Sequence, residues 1–280
     1  EMLSQILTRV IESIERRTGV PEFPTGIRAI DKGTFGLFLT HLMVLAARPG
    51  TGKTAMALQI AWNLAKHKKK VAFFSLEMSK ESLLERLFCH VMQINAWQLR
   101  FDKEYPLTRE QVIKELLVFG DVINQETTLH IIDDWGHTKK QLYDLMADFK
   151  YEPEILILDH LQHIRAHGED SLEAINDYLR YLKEIALKKK LAILILSQIN
   201  RAGEKAPTLA NLKGSGMIEE LADHVWLCEQ ITEDRYTDEE KCKMPLDTNF
   251  MMNLAKSRFN PPCVKYLYFD ANTMTFKDGP

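Results

Sequence analysis

Residues 42–54 read Leu42-Met43-Val44-Leu45-Ala46-Ala47-Arg48-Pro49-Gly50-Thr51-Gly52-Lys53-Thr54. The first six are apolar without a break, the pattern of a strand covered on both faces. A Gly-rich turn follows, and a helix-forming stretch opens at its end. Strand, turn and helix in that order make a phosphate-binding loop. Gly50 and Gly52 let backbone amides turn inward onto phosphate oxygens. The helix N-terminus adds its positive dipole end. Lys53 brings charge to the outer phosphates, and the Thr54 hydroxyl can ligate Mg²⁺. Arg48, Pro49 and Thr51 complete the nucleotide-binding stretch. The strict pattern has Gly where this chain has Ala47.

Working outward, the same short apolar runs recur at 71–76, 129–132, 155–158 and 191–196. Helical stretches are predicted between them at about 54–67, 79–97, 108–123, 138–149 and 171–189. Apolar strands alternating with helices make βαβ units, so the fold class is α/β with a mostly parallel central sheet flanked by helices. Segments 223–229, 248–255, 263–269 and 273–277 are strand-like with short turns and are expected as antiparallel additions. In a parallel sheet, ligands sit at the carboxyl ends of the strands. Three other runs end in polar residues there: Glu77, Asp159 and Gln198. Asp159 follows four aliphatics and is the expected acidic partner of Mg²⁺. Glu77 either orients or deprotonates an attacking water or caps the following helix, although Ser79 is the better cap. Gln198 can sense a γ-phosphate through its amide.

Composition narrows the function classes. The chain has 280 residues, 45% hydrophobic and 27% charged, a globular mixture with room for one large domain. No apolar run approaches the roughly 20 residues needed to cross a bilayer, so no membrane role is expected. With 36 basic and 39 acidic residues the formal charge is −3, which argues against a broad basic surface but not against a local nucleic-acid site. Cys89, Cys228, Cys242 and Cys263 fit no zinc spacing, and no targeting segment is evident, so a cytoplasmic protein with free thiols is expected. The chain begins at Glu1 and is read as a fragment or a trimmed chain.

Three further features stand out. Residues 1–17 form an amphipathic helix with Leu3, Ile6, Leu7, Val10 and Ile14 on one stripe, stopped at Gly19 and tethered through Pro21 and Pro24. The stripe covers either its own domain or a neighbouring subunit. Lys256 and Arg258 sit two apart in the strand-like run Asn249–Phe259 and so share a face. They are either a basic edge that blocks aggregation or phosphate fingers reaching into a neighbour's site. Residues 198–217 carry Arg201, Lys205 and Lys213 among glycines, without an apolar stripe. This segment is either a solvated loop or a tracker of a phosphate chain through Lys213, Gly214, Ser215 and Gly216, with no aromatic for base stacking.

These residues resemble a known family. Pro24-Thr25-Gly26-Ile27, Ile30-Asp31 and the phosphate loop resemble the start of the ATPase domain of DnaB-type replicative helicases, in which Ala at the first Gly position is common. Further matches are Phe74-Ser75-Leu76-Glu77-Met78, Ile132-Asp133-Asp134, Asp159-His160-Leu161-Gln162, Arg180-Tyr181-Leu182-Lys183, Leu196-Ser197-Gln198-Ile199-Asn200-Arg201, Ala222-Asp223 and Ala255-Lys256-Ser257-Arg258. The resemblance implies a RecA-like fold over 19–280, a linker helix over 1–18 docking on a neighbouring subunit, and ATP and Mg²⁺ as cofactors. It implies Lys53 and Thr54 on phosphate and metal, Asp159 beside the metal, Glu77 as catalytic glutamate, Gln198 as sensor, and Lys256 and Arg258 acting across an interface. It further implies a homohexameric ring that moves 5′-to-3′ on single-stranded DNA, with Arg201 and residues 213–216 at the DNA and with primase and a helicase loader as partners. Two departures are visible. The family's Arg-Glu-Ser-Gly is Lys213-Gly214-Ser215-Gly216, closer to phage helicase-primases, and the usual aromatic after the metal-site Asp is His160. A bacterial, phage or mobile-element origin fits. The rival readings are another RecA-like ATPase, of recombinase or clock type, and a non-motor paralogue that uses ATP only for assembly.

Overall fold

The computed structural model of the chain describes residues 22–97, 99, 108–126, 128–133, 141–142, 152–163, 171–199, 207–212, 215–232 and 235–279, together with residues 3, 5, 7 and 11. In chain order the elements are α1 (Arg28–Thr34), β1 (Leu42–Ala47), α2 (Lys53–Lys66), β2 (Val71–Ser75), α3 (Lys80–Met92), α4 (Arg109–Glu126), β3 (Leu129–Ile132), β4 (Ile155–Asp159), α5 (Ser171–Lys189), β5 (Ala192–Gln198), α6 (Ser215–Leu221), β6 (His224–Gln230), α7 (Asp238–Lys241), β7 (Phe250–Ser257), β8 (Val264–Asp270) and β9 (Thr275–Asp278). One sheet holds all nine strands in the order β3-β2-β4-β5-β1-β6-β7-β8-β9.

The unbroken apolar runs have a simple cause. Successive side chains of a strand face opposite sides, and here both sides are covered. Met43, Leu45, Phe73, Ile157 and Leu194 join one core with Met56, Ile60 and Leu64 of α2. Leu42, Val44, Phe74, Leu158 and Ile195 join the other with Ile175, Leu179 and Leu182 of α5. A strand buried on both faces must be apolar at every position, so no alternation is visible in the sequence. A smaller cluster of Trp62, Phe88 and Phe119 ties α4 to α2 and α3.

One expectation is corrected. β6 was expected to be antiparallel, but it pairs with β1 in parallel, Val44 opposite Val225 and Ala46 opposite Leu227. The connection from β5 contains α6 and is long enough for a parallel crossover. That helix was not anticipated from the segment's glycines and charges. Among the described strands, only β7, β8 and β9 are antiparallel. The helix expected at 79–97 ends at Met92, where Gln93 takes the left-handed conformation and closes the last turn onto the Cys89 carbonyl. Of the helix expected at 138–149, residues 141 and 142 are helical and the rest lies outside the described residues.

Motif residues near the chain's start hold the fold together. The Asp31 carboxylate accepts from the Thr25 and Gly26 N–H groups and the Thr25 hydroxyl. Asn63 of α2 donates to the Thr25 carbonyl. Gln59, one turn earlier, exchanges two hydrogen bonds with the backbone of Phe276, at 2.8 and 2.7 Å, and so clamps β9 onto α2.

At the amino-terminal edge of the sheet, Asp223 accepts from the Leu42 N–H at 2.7 Å and from Lys183 Nζ at 2.6 Å, and Lys183 also donates to the Thr40 carbonyl. Burial alone would push the Asp223 carboxyl up. The hydrogen bonds from Lys183 and Leu42 outweigh it and hold the group below its usual value. This contribution is therefore full above the ordinary carboxylate pKa of about 4 and is lost as pH falls through the lowered value. Lys183→Met leaves a buried carboxylate short of its cation and is expected to cost about 3 kcal/mol at pH 7. Urea unfolding measures this, and the gap to the parent should narrow in acid.

Candidate functional site

Four strands deliver the predicted residues to one edge. Ala47 of β1 lies opposite Gln198 of β5, and Ser75 of β2 lies opposite Asp159 of β4. The phosphate loop leaves β1 directly. Gly50 and Gly52 have φ of 78° and 96°, the left-handed region open to glycine. At Gly50 an added Cβ would meet nothing within 4 Å. At Gly52 it would lie 3.0 Å from the Phe269 ring, which is stacked on Phe276 with centroids 4.3 Å apart. The last two strands thus buttress the loop from behind, a role sequence reading missed. Thr51 closes the turn by donating to the Arg48 carbonyl at 2.7 Å.

Lys53 is buried and donates to the Ala47 and Arg48 carbonyls at 3.0 and 3.3 Å. Burial lowers its ammonium below the usual value, and Asp159 and Glu77 pull back upward. The Thr54 hydroxyl donates to Asp159 Oδ2 at 2.8 Å, so the two residues expected around a metal touch across 105 residues of sequence. Asp159 is 1% exposed. Burial pushes its carboxyl up to about 6, against the hydrogen bond from Thr54. A hydroxyl and a buried carboxylate in want of a cation are hard oxygen donors, the set that suits Mg²⁺.

Glu77 sits on a turn fixed by Ser75, whose hydroxyl donates to the Met78 carbonyl and accepts the Met78 N–H. Ser79 caps α3 by accepting from the Ser82 N–H, and Asp133 accepts the Lys80 N–H at 2.7 Å. Glu77 is therefore not needed as a cap, and its side chain is 49% exposed on the rim. Oε2 of Glu77 lies 3.0 Å from Nδ1 of His160, but neither ring nitrogen of His160 makes a hydrogen bond. Burial, with His163 and Lys53 adding to it, lowers the His160 pKa to about 3. The ring is neutral, so the close approach is no ion pair.

Gln162 is a second residue without a role at the sequence level. Its amide nitrogen donates to Ser197 Oγ at 2.8 Å and its oxygen accepts the Gln198 N–H at 2.9 Å. It anchors the backbone that carries the expected sensor. Its place in the Asp159–Gln162 motif was the available signal. At the end of β6, buried Glu229 pairs with Arg235 at 3.0 Å.

Lys256 and Arg258 are elsewhere. β7 ends at Ser257, but the Arg258 N–H continues the ladder onto the Asp223 carbonyl at 3.0 Å, and the bulge at Ala255 precedes both cations, so strand alternation puts the two on one side. They meet at the C-terminal end of α6. Lys256 Nζ donates to the Glu219 carbonyl and, at 2.7 Å, to that of Ala222; Arg258 donates to the Glu220 carbonyl at 2.7 Å and lies 3.5 Å from Asp223. This is the amino-terminal edge of the sheet, and five residue steps along β1 put it about 17 Å from the loop. Arg201, Lys205, Lys213 and Gly214 lie outside the described residues. Ser215 opens α6, with exposed Gly216 next in its first turn. Leu212, just before, is buried and bridges to Ile199. All four cysteines are free thiols, as expected.

Known proteins are similar to this chain in sequence and fold. The DnaB-like helicase C terminal domain family matches residues 22–278. The chain belongs to that family. It is 32% identical over 252 residues to the replicative DNA helicase DnaC of Bacillus subtilis, covering 85% of this chain and 54% of that protein. It is 34% identical over 226 residues to the replicative DNA helicase DnaB of Geobacillus stearothermophilus, covering 77% and 49%. The chain thus spans about half the length of the curated relatives it matches. Among solved structures, an ATPase domain superposes with a TM-score of 0.84 at 26% identity, covering 99% of this chain and 98% of that one. A DnaB-like replicative helicase studied for its interactions with primase gives 0.81 at 26% identity, covering 99% and 67%. The fold is RecA-like, as the family resemblance implied.

Asp159→Asn keeps an acceptor for Thr54 and removes the buried charge. A raised carboxyl favours folding below its unfolded pKa of about 4, and that stability is lost as pH climbs through about 6. At pH 7.5, without nucleotide or magnesium, the variant should be more stable than the parent by about 1–2 kcal/mol. Urea unfolding at pH 4 should show no such gap.

Proposed function

We propose that this chain is the motor domain of an ATP-driven replicative DNA helicase that translocates on single-stranded DNA as a homohexameric ring and unwinds duplex. The observation that carries the reading is the Thr54–Asp159 contact beneath a glycine-turned phosphate loop, with Lys53, Glu77 and Gln198 on the same edge. ATP would lie along Arg48–Thr54, its phosphates on the loop amides. Mg²⁺, ligated by Thr54 and oriented by Asp159, would neutralise charge on the outer phosphates. Lys53 exchanges its carbonyl partners for phosphate oxygens. Glu77, exposed on the rim and free of capping duty, takes a proton from the attacking water. Gln198, its backbone held by Gln162, contacts the γ-phosphate.

Lys256 and Arg258 act in the neighbouring subunit's site. Within one chain they are too far from its own loop, about 17 Å away along β1. At rest they cap the carbonyls of α6, whose first turn holds Ser215 and Gly216. A finger that leaves for a neighbour's phosphate releases the end of a helix that starts at the DNA-contacting segment, Arg201 and residues 213–216. Turnover and DNA grip are thereby joined. Leu3, Leu7 and Ile11, one helical turn apart, are 83%, 58% and 47% exposed, a stripe suited to docking on an adjacent subunit as a linker helix. Among the described residues no helix is long and apolar enough to cross a membrane. Primase and a loader are the further partners, and the cytoplasmic replication fork is the proposed location.

Single-stranded DNA should stimulate ATP hydrolysis by the hexamer, and Glu77→Gln should keep nucleotide affinity while turnover falls by about 10²-fold or more. Turnover unaffected by either DNA or Glu77→Gln would favour the assembly paralogue. Arg258→Ala and Lys53→Ala should each be inactive alone. Mixed in one ring they should regain partial activity, because some interfaces then pair an intact loop with an intact finger. No recovery would place the finger's action within one chain.

A further inference from the structure

We propose that Glu77, His160 and His163 form a site for a transition-metal dication of the zinc type, and that filling it arrests hydrolysis. Glu77 leaves the end of β2, while both histidines belong to the single turn that follows β4, Leu161–His163 forming its 3₁₀ helix. Residues three apart in such a turn eclipse one another, so the two rings lie on one side, edge to face with centroids 4.3 Å apart. One ligating atom from each of the three side chains lies within 4.8 Å of the other two.

Two observations separate this group from a chance cluster. His160 is 1% exposed and neither ring nitrogen has a hydrogen-bond partner, although buried polar groups are almost always satisfied. Its Nδ1 lies 3.0 Å from Glu77 Oε2 and 3.7 Å from Asp159 Oδ1, with the ring not oriented for a hydrogen bond to Glu77. A cation between the two would satisfy both. The other two ligands are exposed, so a solvated ion reaches the site and their side chains can close from within 4.8 Å to the roughly 3.3 Å between ligands of a tetrahedral ion. Two imidazoles and a carboxylate, with a fourth position left for water, suit zinc and cobalt and do not suit magnesium. The Thr54–Asp159 pair offers oxygen alone. Neighbouring sites on one rim are therefore sorted by donor chemistry, and excess Mg²⁺ does not compete for the histidines.

The arrest rests on the proposed role of Glu77 as proton acceptor. A carboxylate bound to a dication does not take a proton from water. The metal site itself does not depend on that reading.

The test uses the protein saturated with Mg²⁺ and ADP, titrated with Co²⁺ as the probe. Four-coordinate cobalt gives a strong visible ligand-field band. One equivalent per chain should bind with that band, and Zn²⁺ should displace it. His163→Ala, at an exposed position outside the nucleotide machinery, should weaken cobalt binding by at least tenfold. It should keep magnesium-supported ATP hydrolysis within about twofold of the parent. Zn²⁺ added in Mg²⁺ excess should then inhibit the parent and spare the variant. Equal cobalt affinity in parent and variant, or a parent without the band, overturns the site. Cobalt bound through His163 with hydrolysis undiminished keeps the site and overturns Glu77 as the proton acceptor.

Discussion

The structure depends on β1 and on how its two ends are held. All six of its residues are buried, so neither end can rely on water for its backbone groups. At the amino end the Leu42 N–H is taken by Asp223, itself held by Lys183. At the carboxyl end Lys53 bonds to the Ala47 carbonyl. A buried strand pinned at both ends by charged side chains cannot slip in register without breaking one of them. The phosphate loop inherits that precision because it begins at the residue Lys53 holds.

The same logic extends sideways. Gln162 fixes Gln198, Ser75 fixes the turn bearing Glu77, and Thr54 fixes Asp159. Gln162 and Ser75 set backbone position beneath two of the candidate side chains on the rim, and Thr54 holds the third, Asp159, side chain to side chain. The loop is supported from behind by Phe269 and Phe276, and Gln59 holds the second of these to α2. The antiparallel strands at the chain's end therefore complete the phosphate site without presenting a polar group to it.

Much of this was legible in the sequence because burial on both faces writes itself as unbroken apolar runs, and the polar residue ending each run marks the rim. Val71–Leu76 ending at Glu77 and Ile155–Leu158 ending at Asp159 needed no further signal. The direction of β6 was not legible, since it is set by a crossover whose helix α6 has only seven residues, too few for Met217, Ile218 and Leu221 to stand out as a stripe. Lys183–Asp223 joins residues 40 apart, and a lysine in an amphipathic helix gives no hint of a buried partner. His160 looked like a mild departure at an aromatic position, and His163 gave no signal at all. Their meaning depends on Glu77 arriving from another strand, which no local pattern records.

The two edges of the sheet divide the labour of the proposed motor. The phosphate edge holds the loop, the acid and the sensor, and the opposite edge holds two cations engaged with helix carbonyls. Those bonds are charge-assisted but each carbonyl carries only a partial charge, so a phosphate is the stronger acceptor. A single chain cannot bring cation and phosphate together, since the whole length of β1 separates them. In the proposed ring, a second copy turned so that its far edge meets the first copy's rim would complete the constellation. α6, seven residues and so about 10 Å long, covers part of the gap within each chain. It begins just after Leu212, which bridges to Ile199 beside the loop, and ends at the carbonyls the cations hold. In the proposed motor, a change of partner at the far edge would therefore act on the carboxyl end of this helix, whose amino end faces the DNA-contacting segment.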